Sequence, residues 1–220
     1  MDLFEAMRNA PTTRRFRSDA VAPELLHRIF ENARYAPSGG NRQSWRVIVV
    51  RDPQTRVLLR ELYLPHWRAY MERTGGAEVL AKPEEFDPGV VRRVQGADAF
   101  AQKLDEVPVH LVVCSNLADL AIVDAQLERP SIVGGASIYP FVQNVLLGLR
   151  AEGLGGALTT LLAPAEPEVK RLLAIPDGVA LAAYVLVGER ADPWPAHLAR
   201  KPVREFVFAE RYGDPLDDDA

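Results

Sequence analysis

Cysteine is almost absent from this 220-residue chain, which contains only Cys114. A single thiol cannot form an intramolecular disulfide or a cysteine-based metal cluster. Cys114 lies in the apolar run VPVHLVVCSN, which is typical of a buried strand, and no neighbour there would lower the pKa of its thiol. We therefore expect a structural thiol rather than a nucleophile. The four histidines show no ligand spacing, so no metal site is predicted.

Long hydrophobic runs and an excess of positive charge are also missing. No segment reaches the roughly 18 apolar residues of a membrane span, and the N-terminal MDLFEAMRNA has acids among its apolar residues, unlike a signal peptide. These features predict a cytoplasmic protein. The net charge of −4 gives no support to a nucleic-acid or anionic-membrane partner. An anionic small ligand is still compatible, because a few local arginines can bind a phosphate.

The residues that are present predict one domain with mixed secondary structure. Apolar strand patterns at about 45–52, 107–114 and 179–189 alternate irregularly with helical patterns, and no internal repeat is found. No GxGxxG motif follows a strand, since GLGG at 153–156 follows a helix instead. A Rossmann domain is therefore disfavoured, and an α+β sandwich fits the pattern better.

Three further segments define the predicted organisation of the domain, which spans 1–220. The most apolar helix is expected at 131–152, ended by Gly153 and buried in the middle of the molecule. Residues 65–105 are the least regular part and are interpreted as a cap or lid. The acidic tail 214–220 is expected to be disordered.

Two polar segments near the N-terminus are candidates for ligand binding. Arg14, Arg15 and Arg17 follow two threonines, and guanidinium and hydroxyl groups together can hold a phosphate. The alternative is a solvated basic turn. The second segment, PSGGNRQSW at 37–45, has glycines that allow close backbone approach and amides that can contact a heteroaromatic ring. An ordinary turn is its alternative.

Two other candidates occur later in the chain. The segment 153–157, GLGGA, permits close approach of a ligand but is equally compatible with a helix cap and a tight crossing. The run RKPVR at 200–204 can complete a phosphate site, or it can be an ordinary exposed basic segment.

In their order along the chain these segments resemble the FMN-dependent nitroreductase family. The resemblance is carried by the arginine-rich turn after the first helix, APSGGNRQSWR entering a strand, ASIYPFVQN followed by GLGG, and the terminal RKPVREFVFAERYG. It covers essentially the whole chain and is weakest at 65–105. It implies a three-layer sandwich with a central, mostly antiparallel sheet flanked by helices. It also implies an intertwined homodimer in which each FMN contacts both subunits.

The resemblance also assigns candidate cofactor contacts. The expected phosphate ligands are Arg14, Arg15, Arg200 and Lys201. The loop expected along the ribityl chain and ring consists of Pro37, Ser38, Gly39, Asn41 and Gln43. Pro140 is expected beside the flavin, and Gly155 and Gly156 are expected near its reactive edge. One departure affects the phosphate ligands. Many relatives carry an Arg-Arg-Ser-type run where this chain has Ala10-Pro11-Thr12, so Thr12 can replace the serine but an arginine is missing.

The activity implied is a ping-pong reaction. NADH or NADPH gives a hydride to flavin N5, and a nitroaromatic, quinone or related acceptor then takes its place. No acid–base pair or nucleophile is expected among the side chains, since the flavin performs the chemistry. The aromatic residues of the lid are expected to stack on a planar substrate, or else to pack on the partner subunit: Trp67, Tyr70, Phe86 and Phe100.

Two alternative functions remain open at this stage. A specialised flavin enzyme, such as a reductive dehalogenase or a flavin-fragmenting enzyme, would be favoured by a charged lid, for which Arg68, Arg73, Arg92 and Arg93 are available. A flavin-binding or storage protein would bind the cofactor without turnover.

Overall fold

The structure is a computed structural model that describes residues 1–216 and contains one antiparallel sheet. Its strands are β1 (Trp45–Val50), β2 (Val109–Asn116), β3 (Leu154–Thr159) and β4 (Val179–Glu189), in the order β1-β2-β4-β3. Residues 217–220 of the acidic tail lie outside the described residues, and their disorder stays a prediction. Before them, Phe208 forms a backbone bridge with Pro215.

Seven α-helices accompany the sheet within residues 1–216. They are α1 (Leu3–Asn9), α2 (Pro23–Ala33), α3 (Pro53–Arg73), α4 (Gly76–Ala81), α5 (Pro88–Gln102), α6 (Tyr139–Ala151) and α7 (Glu166–Leu173). Local sequence explains several of their starts. Asp52 caps α3 by accepting the Thr55 backbone N–H at 2.7 Å, with Pro53 at the first helical position. Pro23 and Pro88 occupy the same position in α2 and α5.

The two faces of the sheet bury different helices. Leu111 and Val113 of β2 pack with α2 and α6, whereas Val112 and Cys114 point to the opposite face and pack with α3 and α7. Alternation of successive side chains across a strand produces this division. The result is a helix–sheet–helix sandwich, which confirms the predicted α+β class. Cys114 is fully buried, and desolvation raises the pKa of its thiol to about 11.

The prediction that residues 65–105 are irregular is wrong, because most of this segment is helical. It contains the second half of α3, all of α4 and all of α5. The residues interpreted as breaks are helix boundaries. Gly75 adopts a left-handed conformation (φ 76°) between α3 and α4, and Asp87 caps α5 through the Gly89 and Val90 backbone N–H groups.

Two other boundaries differ from the prediction. Helix α6 begins at Tyr139 rather than at 131, because residues 133–135 form only a short 3₁₀ turn. Gly153 follows this helix with a φ of 78°, as expected for a residue just beyond a helix C-terminus. The segment LGGALT after it is not a connection but the edge strand β3. None of the helices within residues 1–216 is long and apolar enough to cross a bilayer.

Candidate active site

The N-terminal turn lies along the edge of β3. The Thr13 backbone N–H donates to the Gly156 carbonyl at 2.9 Å, and Thr12 pairs with Gly156 in parallel. Thr13 is fully buried in the space left by Gly155, where a Cβ atom would lie 2.5 Å from Thr13 Oγ1. A Cβ on Gly156 would lie 2.8 Å from Leu146. These glycines therefore serve a tight crossing, and their contact with a flavin stays a prediction.

The arginines of this turn differ in what they bind. Arg15 donates to Asp192 at 2.8 Å, and Arg17 forms an ion pair with Glu189 at 3.2 Å. Within residues 1–216, Arg14 forms neither a hydrogen bond nor an ion pair. Arg14 is therefore the arginine of the turn that is available to an anion or an electron-rich ring, whereas Arg15 already has a partner.

A cavity of about 390 Å³ lies beyond the end of β3. It brings together Arg14 and three of the four aromatic residues predicted for the lid, since Phe86 does not line it, and it includes Arg73 of the predicted lid arginines. The sequence did not indicate several other lining residues: Tyr63, Thr159, Thr160 and Leu161. Trp67 is only 8% exposed and its Nε1–H donates to Asp98 at 2.7 Å, so it forms a fixed wall. Tyr70 is 37% exposed and lies at the mouth. We call this space the aromatic cavity.

Tyr63 connects the aromatic cavity to β3. Its hydroxyl lies 3.4 Å from Thr159 Oγ1, and its ring stacks on Trp67 with centroids 6.5 Å apart. Burial raises the pKa of Tyr63, and the Thr159 hydrogen bond opposes this only in part. The phenol is therefore neutral at physiological pH and retains an O–H group that can donate.

A second cavity, of about 290 Å³, lies on the other side of Thr12 and Leu158, which line both spaces. Arg150, Trp194 and Arg200 contribute its polar and aromatic surface, so we call it the basic cavity. The C-terminal segment reaches it because the Leu198 N–H donates to the Arg8 carbonyl at 2.8 Å. Of the predicted C-terminal pair only Arg200 lines this space; Lys201 is exposed, with Nζ 3.9 Å from a Glu205 oxygen.

The predicted cofactor loop at 37–43 is ordered by its own polar groups. Ser38 Oγ accepts the Gln43 backbone N–H at 3.0 Å, and Gln43 Nε2 donates to Asn41 Oδ1 at 3.1 Å. The Gly39 N–H donates to Ser137 Oγ at 2.9 Å, three residues before Pro140. Asn41 and Gln43 have positive φ values of 53° and 50°. Strained backbone of this kind is concentrated at functional sites.

This loop and the Thr12–Gly156 contact lie at opposite corners of the sheet, whereas the aromatic cavity at Thr159 lies farther along the same edge, nearer the loop end of β4. Trp45, just after the loop, pairs with Ser115 of β2, which in turn pairs with Ala180 of β4. At the other edge of the sheet, Gly156 of β3 pairs with Val187 of β4. Seven residues along β4 and three strand spacings place these corners roughly 20 Å or more apart. Helix α6 runs between them, with Pro140 at the loop end. One chain therefore does not bring the two groups of predicted cofactor residues together.

Some of the site residues that were not predicted nevertheless show a recognisable pattern in the sequence. Tyr63, Trp67 and Tyr70 follow the i, i+4, i+7 spacing of one helix face, which would have linked Tyr63 to the two predicted aromatics. Arg150 is the one charged residue in the apolar α6. Trp194 had no comparable signal, because its position depends on how the C-terminal segment folds back.

Comparison with known proteins agrees with these observations. The sequence profile of the Nitroreductase family matches residues 7–189. A protein named NADH dehydrogenase from Thermus thermophilus is 31% identical over 214 residues, covering 94% of this chain and 96% of that protein. The 5,6-dimethylbenzimidazole synthase of Rhodospirillum rubrum is 28% identical over 184 residues, covering 83% of this chain and 76% of that protein.

Solved structures share the same fold. The crystal structure of oxidized iodotyrosine deiodinase bound to FMN and 3-iodo-L-tyrosine superposes with a TM-score of 0.69 at 22% identity, covering 94% of this chain and all of that one. The family profile and the Thermus relative confirm the resemblance inferred from the motifs, and with it the expected enzyme class and cofactor. The chain belongs to the nitroreductase family of FMN-dependent oxidoreductases.

Proposed function

We propose that this protein is an NAD(P)H oxidoreductase that reduces nitroaromatic, quinone or related planar acceptors by a ping-pong reaction. The observation that carries the proposal is the aromatic cavity at the end of β3, which combines flat apolar walls with the unpaired Arg14. Such a cavity can bind a flat acceptor without fixing its identity. The Thermus relative named NADH dehydrogenase, which aligns along nearly the whole chain, supports a nicotinamide nucleotide as the reductant.

The residues at the β3 edge suit an FMN molecule. The aromatic and basic cavities meet at Thr12, and together they fall within the range of small-molecule sites, about 300–1,000 Å³. Aromatic walls lie on one side of Thr12 and arginines on the other, which matches a cofactor with a flat ring and an anionic end. When bound, the flavin supplies the acceptance and donation of hydride.

The side chains then have binding and positioning roles. Trp67, held by Asp98, keeps one wall of the aromatic cavity flat and excludes water. Tyr63 offers a neutral hydroxyl beside Thr159. Tyr70 at the mouth is placed to stack on an incoming acceptor. Positive charge on Arg14 favours added electrons in the neighbouring ring.

We also propose that the protein is a homodimer with two shared FMN sites. The loop 37–43 and Pro140 lie too far from Thr12 and Arg14 to contact the same flavin within one chain, so a second copy would have to bring its own loop to the β3 edge. Several large apolar side chains are exposed, which is typical of an interface: Leu3, Phe4, Met7, Val123, Ile132, Phe206 and Tyr212. A cytoplasmic location stays a prediction.

A specialised substrate is less well supported by the cavity. Of the four arginines available for a charged lid, only Arg73 lines the aromatic cavity, whereas Arg68, Arg92 and Arg93 do not. Asp98 accepts a hydrogen bond from Trp67 and is not one of the lining residues. The ammonium group of a zwitterionic substrate would therefore find no carboxylate among the described lining residues, which favours neutral or anionic aromatic acceptors.

An absorbance spectrum of the purified protein tests this function. We expect flavin bands near ~450 nm that bleach when NADH or NADPH is added without oxygen and return when a nitroaromatic or quinone follows. A protein that stays colourless after incubation with FMN would contradict the proposal. A yellow protein that neither nucleotide bleaches would instead indicate a flavin-binding or storage role.

A further inference from the structure

Arg150 is a buried cation without a counter-ion. It lies in the last turn of α6 and is only 7% exposed. Its Nε donates to Asn9 Oδ1 at 2.9 Å, and its guanidinium stacks 4.0 Å from the Trp194 ring centroid. Within residues 1–216, its two terminal nitrogens form no hydrogen bond or ion pair. Burial lowers the pKa of Arg150, and the Glu5 carboxylate opposes this without pairing with it.

A mostly buried charge without a counter-ion is stabilised by an anion, and the unpaired terminal nitrogens of Arg150 remain accessible to one. The guanidinium faces the basic cavity, where Arg200 adds a second positive charge and Thr12 a hydroxyl. None of the described residues that line this cavity is acidic. Trp194 holds Arg150 in place and lies 5.6 Å from Arg190 on the same side of the molecule. The site is therefore prepared for an anion before the anion binds.

We propose that Arg150 binds the phosphate of FMN, together with Arg200 and the Thr12 hydroxyl. This inference rests on the proposed function, and it predicts how FMN is oriented in the site. Ala10 and Pro11, where the first turn lacks an arginine, line the same cavity as Arg150. Helix α6 thus supplies the guanidinium that the turn does not. The phosphate lies on the Ala10 side of Thr12, and the ring lies on the Arg14 side, in the aromatic cavity.

Two ligands of this enzyme class carry a phosphate monoester, namely FMN and NADPH. Riboflavin lacks the phosphate of FMN, and NADH lacks the 2′-phosphate of NADPH, so each pair isolates the contribution of one phosphate. We assign the basic cavity to the flavin because Thr12 and Leu158 join it directly to the aromatic cavity.

The test is a fluorescence titration of the apoprotein with FMN and with riboflavin. In Arg150→Gln we expect the FMN dissociation constant to rise about tenfold to a hundredfold while that of riboflavin stays within about twofold, because a charged hydrogen bond is lost only with FMN. Arg200→Gln, at an exposed position that tolerates substitution, should raise the FMN constant about three- to tenfold in the same selective way. Arg28→Gln, outside both cavities, is the matched control.

Each other outcome overturns a different statement. Equal weakening of FMN and riboflavin in Arg150→Gln, or no weakening of either in both variants, would overturn the phosphate assignment alone. If Arg150→Gln instead changed the ratio of the KM values for NADPH and NADH and left the preference for FMN over riboflavin unchanged, the basic cavity would be assigned to the 2′-phosphate of NADPH. Wild-type protein that binds neither flavin would overturn the proposed function and this assignment with it.

Discussion

Among the described residues of the N-terminal turn, Arg14 differs from Arg15 and Arg17 because it forms no ion pair. Arg15 and Arg17 are paired with Asp192 and Glu189, which holds the turn against the C-terminal segment and the end of β4. Exposed pairs of this kind contribute little stability, about 0–1 kcal/mol each, but they fix the directions of the side chains. Arg14 is thereby left facing the aromatic cavity.

Replacing Arg14 by glutamine should lower the flavin reduction potential. Loss of one positive charge close to the ring disfavours added electrons by roughly 20–40 mV for a two-electron couple. Anaerobic titration against a reference dye measures the potential. Arg17→Gln, whose side chain lines neither cavity, should shift it by only a few mV. An unchanged potential in Arg14→Gln would mean that the ring is not bound beside this residue.

A second residue-scale feature is the buried pair of His110 and Tyr184. The Tyr184 hydroxyl donates to His110 Nδ1, and His110 Nε2–H donates to the Leu104 carbonyl at 2.9 Å. In the neutral imidazole this arrangement satisfies both ring nitrogens. Desolvation is the main reason that the pKa of His110 falls to about 4.

This shift makes stability depend on pH. Between about pH 6.5 and 4 the unfolded chain binds a proton at His110 that the folded chain does not, so the stabilisation is complete above 6.5 and is lost as the pH falls. We expect the protonation of His110 to lower the free energy of unfolding by about 2 kcal/mol as the pH falls from 7 to 5. Urea unfolding at both values should show a smaller loss in His110→Gln. His27→Gln, at an exposed position, is the control, and an identical slope in all three proteins would refute the assignment.

At the scale of elements, the contact between β3 and the N-terminal turn positions the site. Gly155 lets the turn approach closely enough for Thr13 to become fully buried, and Thr12 and Arg14 then lie on either side of it in the chain. Because neighbouring residues of an extended segment point in opposite directions, burying Thr13 exposes the two flanking side chains.

Gly155→Ala should therefore destabilise the protein and disturb the site. The new Cβ would lie 2.5 Å from Thr13 Oγ1, which the surrounding core does not allow to move freely. We expect a cost of about 1–3 kcal/mol in urea unfolding, as for other overpacked sites, together with weaker FMN binding. Gly178→Ala is a suitable control, because its Cβ would meet no atom within 4 Å. Equal stability of the two variants would argue against this account.

The helices α3 to α5 form the other wall of the site and are proposed to select the acceptor. Tyr70→Ala should change the ratio of kcat/KM between one-ring and two-ring quinones roughly three- to tenfold, because a stacking surface at the mouth is lost. Steady-state assays with both acceptors provide the ratio. Arg68→Ala on the same helix lines neither cavity and should leave the ratio unchanged. The reverse pattern would favour a charged lid and a specialised substrate.

For the whole molecule, the distance between the two corners of the sheet makes assembly part of the site. A shared site predicts complementation between two inactive variants, Arg14→Glu at the β3 corner and Asn41→Val at the loop corner. Each mixed dimer would carry one doubly altered site and one intact site. After unfolding and refolding an equal mixture, about a quarter of the wild-type FMN sites should return, because half of the dimers are mixed.

The control for complementation uses two variants from the same corner. Arg14→Glu mixed with Arg200→Glu should restore no intact site, since both substitutions fall on the β3 side. Sedimentation of each variant verifies that it still assembles. Absence of recovery in the first mixture, with both variants dimeric, would place the complete site within one chain.

The sequence by itself determined the local features of the fold. The strands β1, β2 and β4 and the buried α6 follow from apolar patterns, because burial on a sheet face or around a helix imposes a period on neighbouring residues. The Asn- and Gly-containing loop was recognisable for a similar reason, since its unusual backbone needs particular residue types. Strand β3 was missed because its two glycines resemble a turn, and the helices of 65–105 were missed because their capping residues resemble breaks.

Only the tertiary structure decided which of the candidate residues share a site. Arg15 is paired by Asp192, which is 177 positions away, so its neighbour Arg14 could not be distinguished from it by local pattern. Arg150 meets Trp194 and the first turn because α6, β3 and the C-terminal segment converge at one edge of the sheet. Local sequence encodes backbone preference and burial, whereas the partners of a charged group depend on the packing of segments far apart in the chain.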